Sequence, residues 1–229
     1  AIVGNNKTGL KIWKNNLEEA KSIDNKEWIA GTLSNIGHQY MLRGDFDKAM
    51  DYEKKSIKTF NELNFIPKRG LGWPLKFIGQ IYQVKGDYDK SIEFHNKQLE
   101  ANKNVNNLYG IASAYNYLGC VHAQTGNYND ALNYLFRSIE TLQKRHLHRS
   151  NIRYSWIASI YSILGDYNNA INYSEKSIKN NPINNEERSS SFTRAIIHQS
   201  LSYKKLGKKY NEKEIIKLVQ RDEKIDYDN

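Results

Sequence analysis

The 229 residues predict an all-α protein, a solenoid of antiparallel helix hairpins, and three observations carry that prediction. A phrase recurs four times, as "RGDFDKAMDYEKKSI" (43–57), "KGDYDKSIEFHNKQL" (85–99), "TGNYNDALNYLFRSI" (125–139) and "LGDYNNAINYSEKSI" (164–178), with copies 39 to 42 residues apart. Apolar residues before and within each phrase fall at helical spacing, as Leu33, Ile36, Gly37 and Tyr40 do before the first copy, and Phe46, Ala49, Tyr52 and Ile57 inside it. Between the two stripes stands a glycine followed by Asp or Asn. The glycine ends one helix in the left-handed region without a Cβ penalty, and the next side chain caps the following helix. One hairpin cannot bury such a face alone, so neighbours must stack.

The elements follow in order. Residues 1–25 read as the second helix of an incomplete leading repeat, centred on "GLKIWKNNLEEAKSI" (9–23). Repeats then occupy 26–66, 67–106, 107–148 and 149–183, and 184–229 holds a degenerate fifth repeat with a C-terminal cap. In that last stretch Tyr203 and Gly207 keep register while Lys209 takes the aromatic turn slot, and Pro182 in "NNPINNEERSSS" separates it from the fourth repeat. Small residues recur where helices approach: Gly37, Gly79, Gly119 and Ala158 in the first helix, and Ala49, Ser91, Ala131 and Ala170 in the second. Large ones fill the hairpin, at Tyr40, Tyr82 and Tyr161, then Phe46, Tyr88, Tyr128 and Tyr167, with His122 in the tyrosine slot of the third copy.

These residues resemble the tetratricopeptide repeat, with Leu/Ile-Gly-x-x-Tyr in helix A, Gly-Asp-Tyr at the turn, and Ala and Tyr in helix B. Four copies in phase make the resemblance specific. The spacing near 40 is similar to the family's longer-helix subset, which includes kinesin light chains, Leu-Gly-Asn-repeat adaptors and bacterial peptide-receptor and signalling proteins. The resemblance implies a right-handed superhelix whose concave wall is lined by helix A. The carboxylate clamp of co-chaperone members is not matched, because Ser34 and His38 stand where its leading lysine and asparagine belong and Lys76 lacks its companions.

Charge bears on the partner. The net charge is +9, but basic residues exceed acidic ones by 12 to 9 in residues 1–70, 9 to 6 in 71–150 and 13 to 10 in 151–229, so no third is a basic module. The clusters "KRHLHRSNIR" (144–153) and "KKLGKKYNEK" (204–213) read as solvated faces and loops, which disfavours nucleic acid. No apolar run approaches the roughly 20 residues of a membrane span. Cys120 is the single cysteine, so no intramolecular disulfide forms and a reducing, cytoplasmic setting is expected. The orphan first helix predicts a segment of a longer protein, covalently linked to further domains.

Active-site signatures do not assemble. Gly4 and Gly9 have the spacing of a phosphate loop, but Leu10 and Lys11 follow in place of Lys and Ser/Thr. His146 and His148 lie two apart, unlike a helical zinc pair, and His38, His95, His122 and His198 fall in four different repeats. Cys120 sits by the small-residue stripe, and acidic residues are placed mainly at helix starts and exposed faces. No cofactor, metal or catalytic residue is expected, and the chain is read as a non-enzyme.

The face of helix A opposite the core stripe holds Asn35, His38 and Leu42, then Trp73, Phe77, Gln80 and Val84, then Ser113, Tyr117, Cys120 and Gln124, then Ile152, Trp156, Ser159 and Ile163, and finally Arg194, His198, Leu201 and Lys205. Phe77, Tyr117 and Trp156 share one slot in successive repeats, with Trp73 one turn earlier. One reading is a groove for apolar anchors of a peptide or helix, with Lys76, Gln80, Asn116 and Ser155 beside the aromatics as polar contacts. The other is that curvature, or more of the same polypeptide, covers this face. The expected function is therefore a non-catalytic scaffold for a protein or peptide partner. The alternatives are a regulatory sensor domain whose groove holds its own chain or a peptide, and RNA binding through the basic clusters.

Overall fold

The computed structural model describes residues 2–63, 68–144, 150–179 and 190–210. Among them lie ten helices and no strand: α1 (Ile2–Ser22), α2 (Lys26–Leu42), α3 (Phe46–Asn61), α4 (Gly72–Val84), α5 (Tyr88–Asn104), α6 (Leu108–Gln124), α7 (Tyr128–Gln143), α8 (Asn151–Ile163), α9 (Tyr167–Lys179) and α10 (Ser190–Lys205). The all-α hairpin architecture expected from the repeats is the one observed. The leading helix starts at Ile2, well ahead of Gly9. The Pro182 linker, residues 145–149 of the first basic cluster, and the cap from 211 onward lie outside the described residues.

Each turn is built from its own two or three residues. Gly44, Gly86, Gly126 and Gly165 take φ of +75°, +78°, +81° and +81°, a region that other residues enter at a cost. Asp45 accepts from the amide of Lys48 at 3.2 Å, Asp87 from Lys90 at 3.2 Å, and Asp166 from Asn169 at 3.1 Å. Asn127 departs from this pattern. Its side chain makes no cap bond and donates instead to Thr125 Oγ1 at 3.2 Å.

The chain forms two compact units, 1–121 and 122–229. In the first, α1 packs on α2, α2 on α3, α3 on α4 and α4 on α5, and α2 also touches α4. Leu17, Leu33 and Ile36 form a buried cluster there, flanked by Trp13, Ile29, Tyr40 and Tyr52. In the second, α7 packs on α8, α8 on α9, and α10 on both α8 and α9. Its core gathers Ala131, Leu135, Ile139, Ile157 and Ile160.

The large hairpin residues find partners that periodicity did not pair. Tyr40 stacks on Tyr52 with ring centroids 5.5 Å apart, Tyr82 on Phe94 at 5.5 Å, His122 on Tyr134 at 5.4 Å, and Tyr161 on Tyr173 at 5.7 Å. His122 thus does in its copy what tyrosine does in the others, because a flat ring is what the slot requires. Among the described residues no helix is long and apolar enough to cross a membrane, and no group of three His, Cys, Asp or Glu side chains converges as a metal site would.

Candidate functional site

Helix-A glycines do more than let helices approach. In the first unit a Cβ on Gly37 would lie 2.5 Å from Glu53 Oε1, and one on Gly79 would lie 2.6 Å from the His95 ring. Each glycine therefore leaves a gap into which a polar side chain of the following helix is threaded. Ser91 closes the second gap by donating from Oγ to the Gly79 carbonyl at 2.9 Å.

Glu53 and His95 are both fully buried. Ser34 Oγ donates to Glu53 Oε2 at 2.7 Å, and His95 Nδ1 meets Gln98 Oε1 at 3.1 Å. An amide oxygen only accepts, so the proton sits on Nδ1 and Nε2 presents a lone pair. Sequence reasoning missed both residues. The available signal was that each lies in the same slot of the repeated phrase, where the later copies carry Leu135 and Ser174.

Above these floors lies the predicted face. Trp73 is 49% exposed, whereas Phe77 is only 4% exposed. Two readings stood open for this face, the open groove and the covered one, and Phe77 itself is covered by neighbouring side chains. His38 stacks on one side of the ring at 4.3 Å, the Lys76 ammonium stands 4.0 Å from its centroid, and Trp73 lies at 6.2 Å. Lys76 also sits 4.3 Å from the Trp73 ring, so two aromatic faces share one cation. Tyr117 is half-buried, stacked on His95 at 5.0 Å, and its hydroxyl accepts from Gln80 Nε2 at 3.0 Å. Asn116 beside it is buried, with Oδ1 lacking a partner among the described residues. A polar cavity of about 30 Å³ opens beside Trp73 and Lys76, bordered by Gln98, Asn102 and Ser113, with room for a water or two.

Burial governs the electrostatics. It pushes the Lys76 ammonium down to about 8, with Glu53 pulling the other way. The Glu53 carboxyl is driven well up by the same desolvation, opposed by the Ser34 hydrogen bond and by Lys76. Burial takes His95 down to about 4 and lowers His38, and the Lys76 charge adds to both.

The second unit repeats the theme with other residues. Trp156 is half-buried, and the Arg194 guanidinium lies 4.1 Å from its ring centroid. Ser155 is fully buried, donates to the Ile152 carbonyl at 2.8 Å, and meets Arg194 Nη1 at 3.5 Å. Ser159 Oγ pairs with His198 Nε2 at 2.8 Å. The imidazole is lowered by burial and by Arg194. In each unit, then, a cation of the chain's own lies over an aromatic that the sequence marked.

The tetratricopeptide repeat model matches residues 72–144, and a second model of the same description matches 153–184. A search of curated protein sequences finds no match. Among solved structures the chain is similar to BtubC from P. vanneervenii, with a TM-score of 0.75 at 18% identity over 96% of this chain and 90% of that one. It is similar to a Rap protein complexed with Competence and Sporulation Factor, with a TM-score of 0.71 at 15% identity over 89% of this chain and 56% of that one. The quorum sensor NprR from B. thuringiensis gives 0.69 at 18% identity, covering 94% and 59%. At these identities the likeness establishes the fold, and the chain spans a little over half the length of the Rap and NprR chains.

Proposed function

We propose that this chain, a tetratricopeptide-type repeat protein, is a non-catalytic module that binds a protein or peptide segment on its helix-A face. The carrying observation is Lys76. It is half-buried, seated on Trp73 and Phe77, and makes no ion pair among the described residues. A desolvated cation without a carboxylate favours an acidic group on the ligand, and the exposed face of Trp73 offers an aromatic contact beside it. Gln80 and Asn116 supply polar contacts in the same unit. Of the aromatics read off the sequence in this unit, Trp73 is the exposed one and Phe77 is buried. A cytoplasmic setting is part of the same reading.

The sensor reading is supported by names alone. One similar structure holds Competence and Sporulation Factor and another is called a quorum sensor. In a sensor domain the same face would hold the signal.

Selection of displayed random peptides on the purified chain tests the proposal. Enriched peptides are expected to be acidic, and to lose about tenfold or more in affinity to Trp73→Ala and to Lys76→Ala. Peptides that bind both folded variants as well as the parent would place the contact elsewhere.

A further inference from the structure

The small polar cavity beside Lys76 lies among α4, α5 and α6, and the side chains around it offer hydrogen-bond donors. Among the described residues no Asp or Glu borders it. The Lys76 ammonium carries three N–H groups and makes no hydrogen bond or ion pair among the described residues. Gln98, on α5, is 2% exposed. Its Oε1 is engaged by His95 Nδ1, which leaves Nε2 to meet Ser113 Oγ at 3.5 Å. That contact is long and uses one of the two amide hydrogens. Ser113 accepts in it and keeps its own hydroxyl hydrogen for another acceptor. The frame around these donors is fixed by Asn102. Its Nδ2 donates to the Gln98 carbonyl at 2.8 Å, its Oδ1 accepts from Asn107 at 3.0 Å, and a Cβ on Gly72 or Gly110 would collide with its amide. Two exposed rings, Trp73 and Tyr109, border the cavity. Its volume of about 30 Å³, enough for a water or two, suits the two oxygens of a carboxylate equally well. Donors gathered round a cation in a largely desolvated spot favour an anionic acceptor group.

We propose that this cavity is a carboxylate subsite, in which Lys76, Gln98 and Ser113 hold the two oxygens of a ligand's side-chain or C-terminal carboxylate while Trp73 and Tyr109 flank its stem. This rests on reading the helix-A face as the ligand face, and it adds Gln98, a helix-B residue, to the contacts of that face. The subsite exists in the free protein and is measurable there with small probes.

The experiment is an NMR titration of the ¹⁵N-tryptophan-labelled full chain at neutral pH, with the Trp73 indole signal assigned as the one lost in Trp73→Phe. The probes are N-acetylglycine, which presents a chain-terminal carboxylate, the α-amide of N-acetylglutamate, which presents a side-chain carboxylate, and neutral N-acetylglycinamide. A carboxylate probe is expected to move the Trp73 signal saturably while the neutral amide leaves it in place. The tighter of the two carboxylates tells a chain terminus from a side chain. In Ser113→Val, which removes a donor and puts methyl groups in the cavity, affinity is expected to fall at least about tenfold with helicity unchanged. The proposal is overturned if neither carboxylate gives a saturable shift, if the neutral amide shifts the signal equally, or if a folded Ser113→Val binds as the parent does. If that variant does not fold, Gln98→Glu serves. It keeps the shape and sets a like charge in the cavity, and undiminished binding is again refuting. Carboxylate binding that depends on Ser113 while peptide selection fails would sink the peptide reading and leave the subsite standing. Acidic peptides that bind Ser113→Val as tightly as the parent would do the reverse.

Discussion

At the scale of single residues, the burial of His95 makes an expectation with a definite sign. Its imidazole ordinarily takes a proton near 6.5, but in the folded chain it does so only near 4. Between those values the unfolded chain holds more protons, so stability is lost as pH falls through that window, by up to about 3 kcal/mol at its acid end. Glu53 has the opposite sign. Its folded carboxyl keeps a proton that the unfolded chain releases, so its contribution fades as pH rises above the ordinary carboxylate range. Urea unfolding of the parent and His95→Gln from pH 4 to 7 checks this, the variant giving the flatter acid limb. Glycine gaps make a second test. Gly79→Ala drives a Cβ into the His95 ring and is expected to cost about 2 kcal/mol or more, whereas Gly31, with nothing within 4 Å of a Cβ, is expected to gain up to about 1 kcal/mol as alanine. Equal midpoints for the two variants would show that Gly79 is not a gap at all.

Elements are decided at their ends. Three turns carry an Asp that accepts from the backbone amide three residues on, and the fourth carries Asn127, which turns to Thr125. Asn127→Asp is expected to stabilise α7 by about 0.5 kcal/mol, because a charged acceptor suits a helix N-terminus. A thermal melt no higher than the parent's would count against this account of the turn. The stacked pair in each hairpin shows how far local pattern reaches. Tyr40, Tyr82, His122 and Tyr161 were visible as a series, but their partners Tyr52, Phe94, Tyr134 and Tyr173 were not marked as a second series. Lysines laid over the helix-B rings, Lys55 on Tyr52 and Lys97 on Phe94, are neighbours across one helical turn.

For the whole molecule, repeat logic makes stability depend on neighbours, and the second unit tests it. The α10 helix packs on α8 and α9 and buries Ala195 and Ile196. Deleting 190–229 should lower the melting temperature and raise light scattering as that surface is uncovered; a truncated chain that stays monomeric and melts with the parent would deny the stacking. The hairpins, their glycine turns and their Asp caps were legible in the chain alone, because each is governed by residues within a few turns of one another. Tertiary structure alone decided which marked aromatics are open. Phe77 is shut between His38 and Lys76 while Trp73 stays half in solvent. It also decided that Glu53 and His95, which periodicity assigns to an ordinary helix B, pass through glycine gaps to lie beneath the site. Burial of a ring or a carboxyl is set by side chains from other helices, and no local spacing records which of them will arrive.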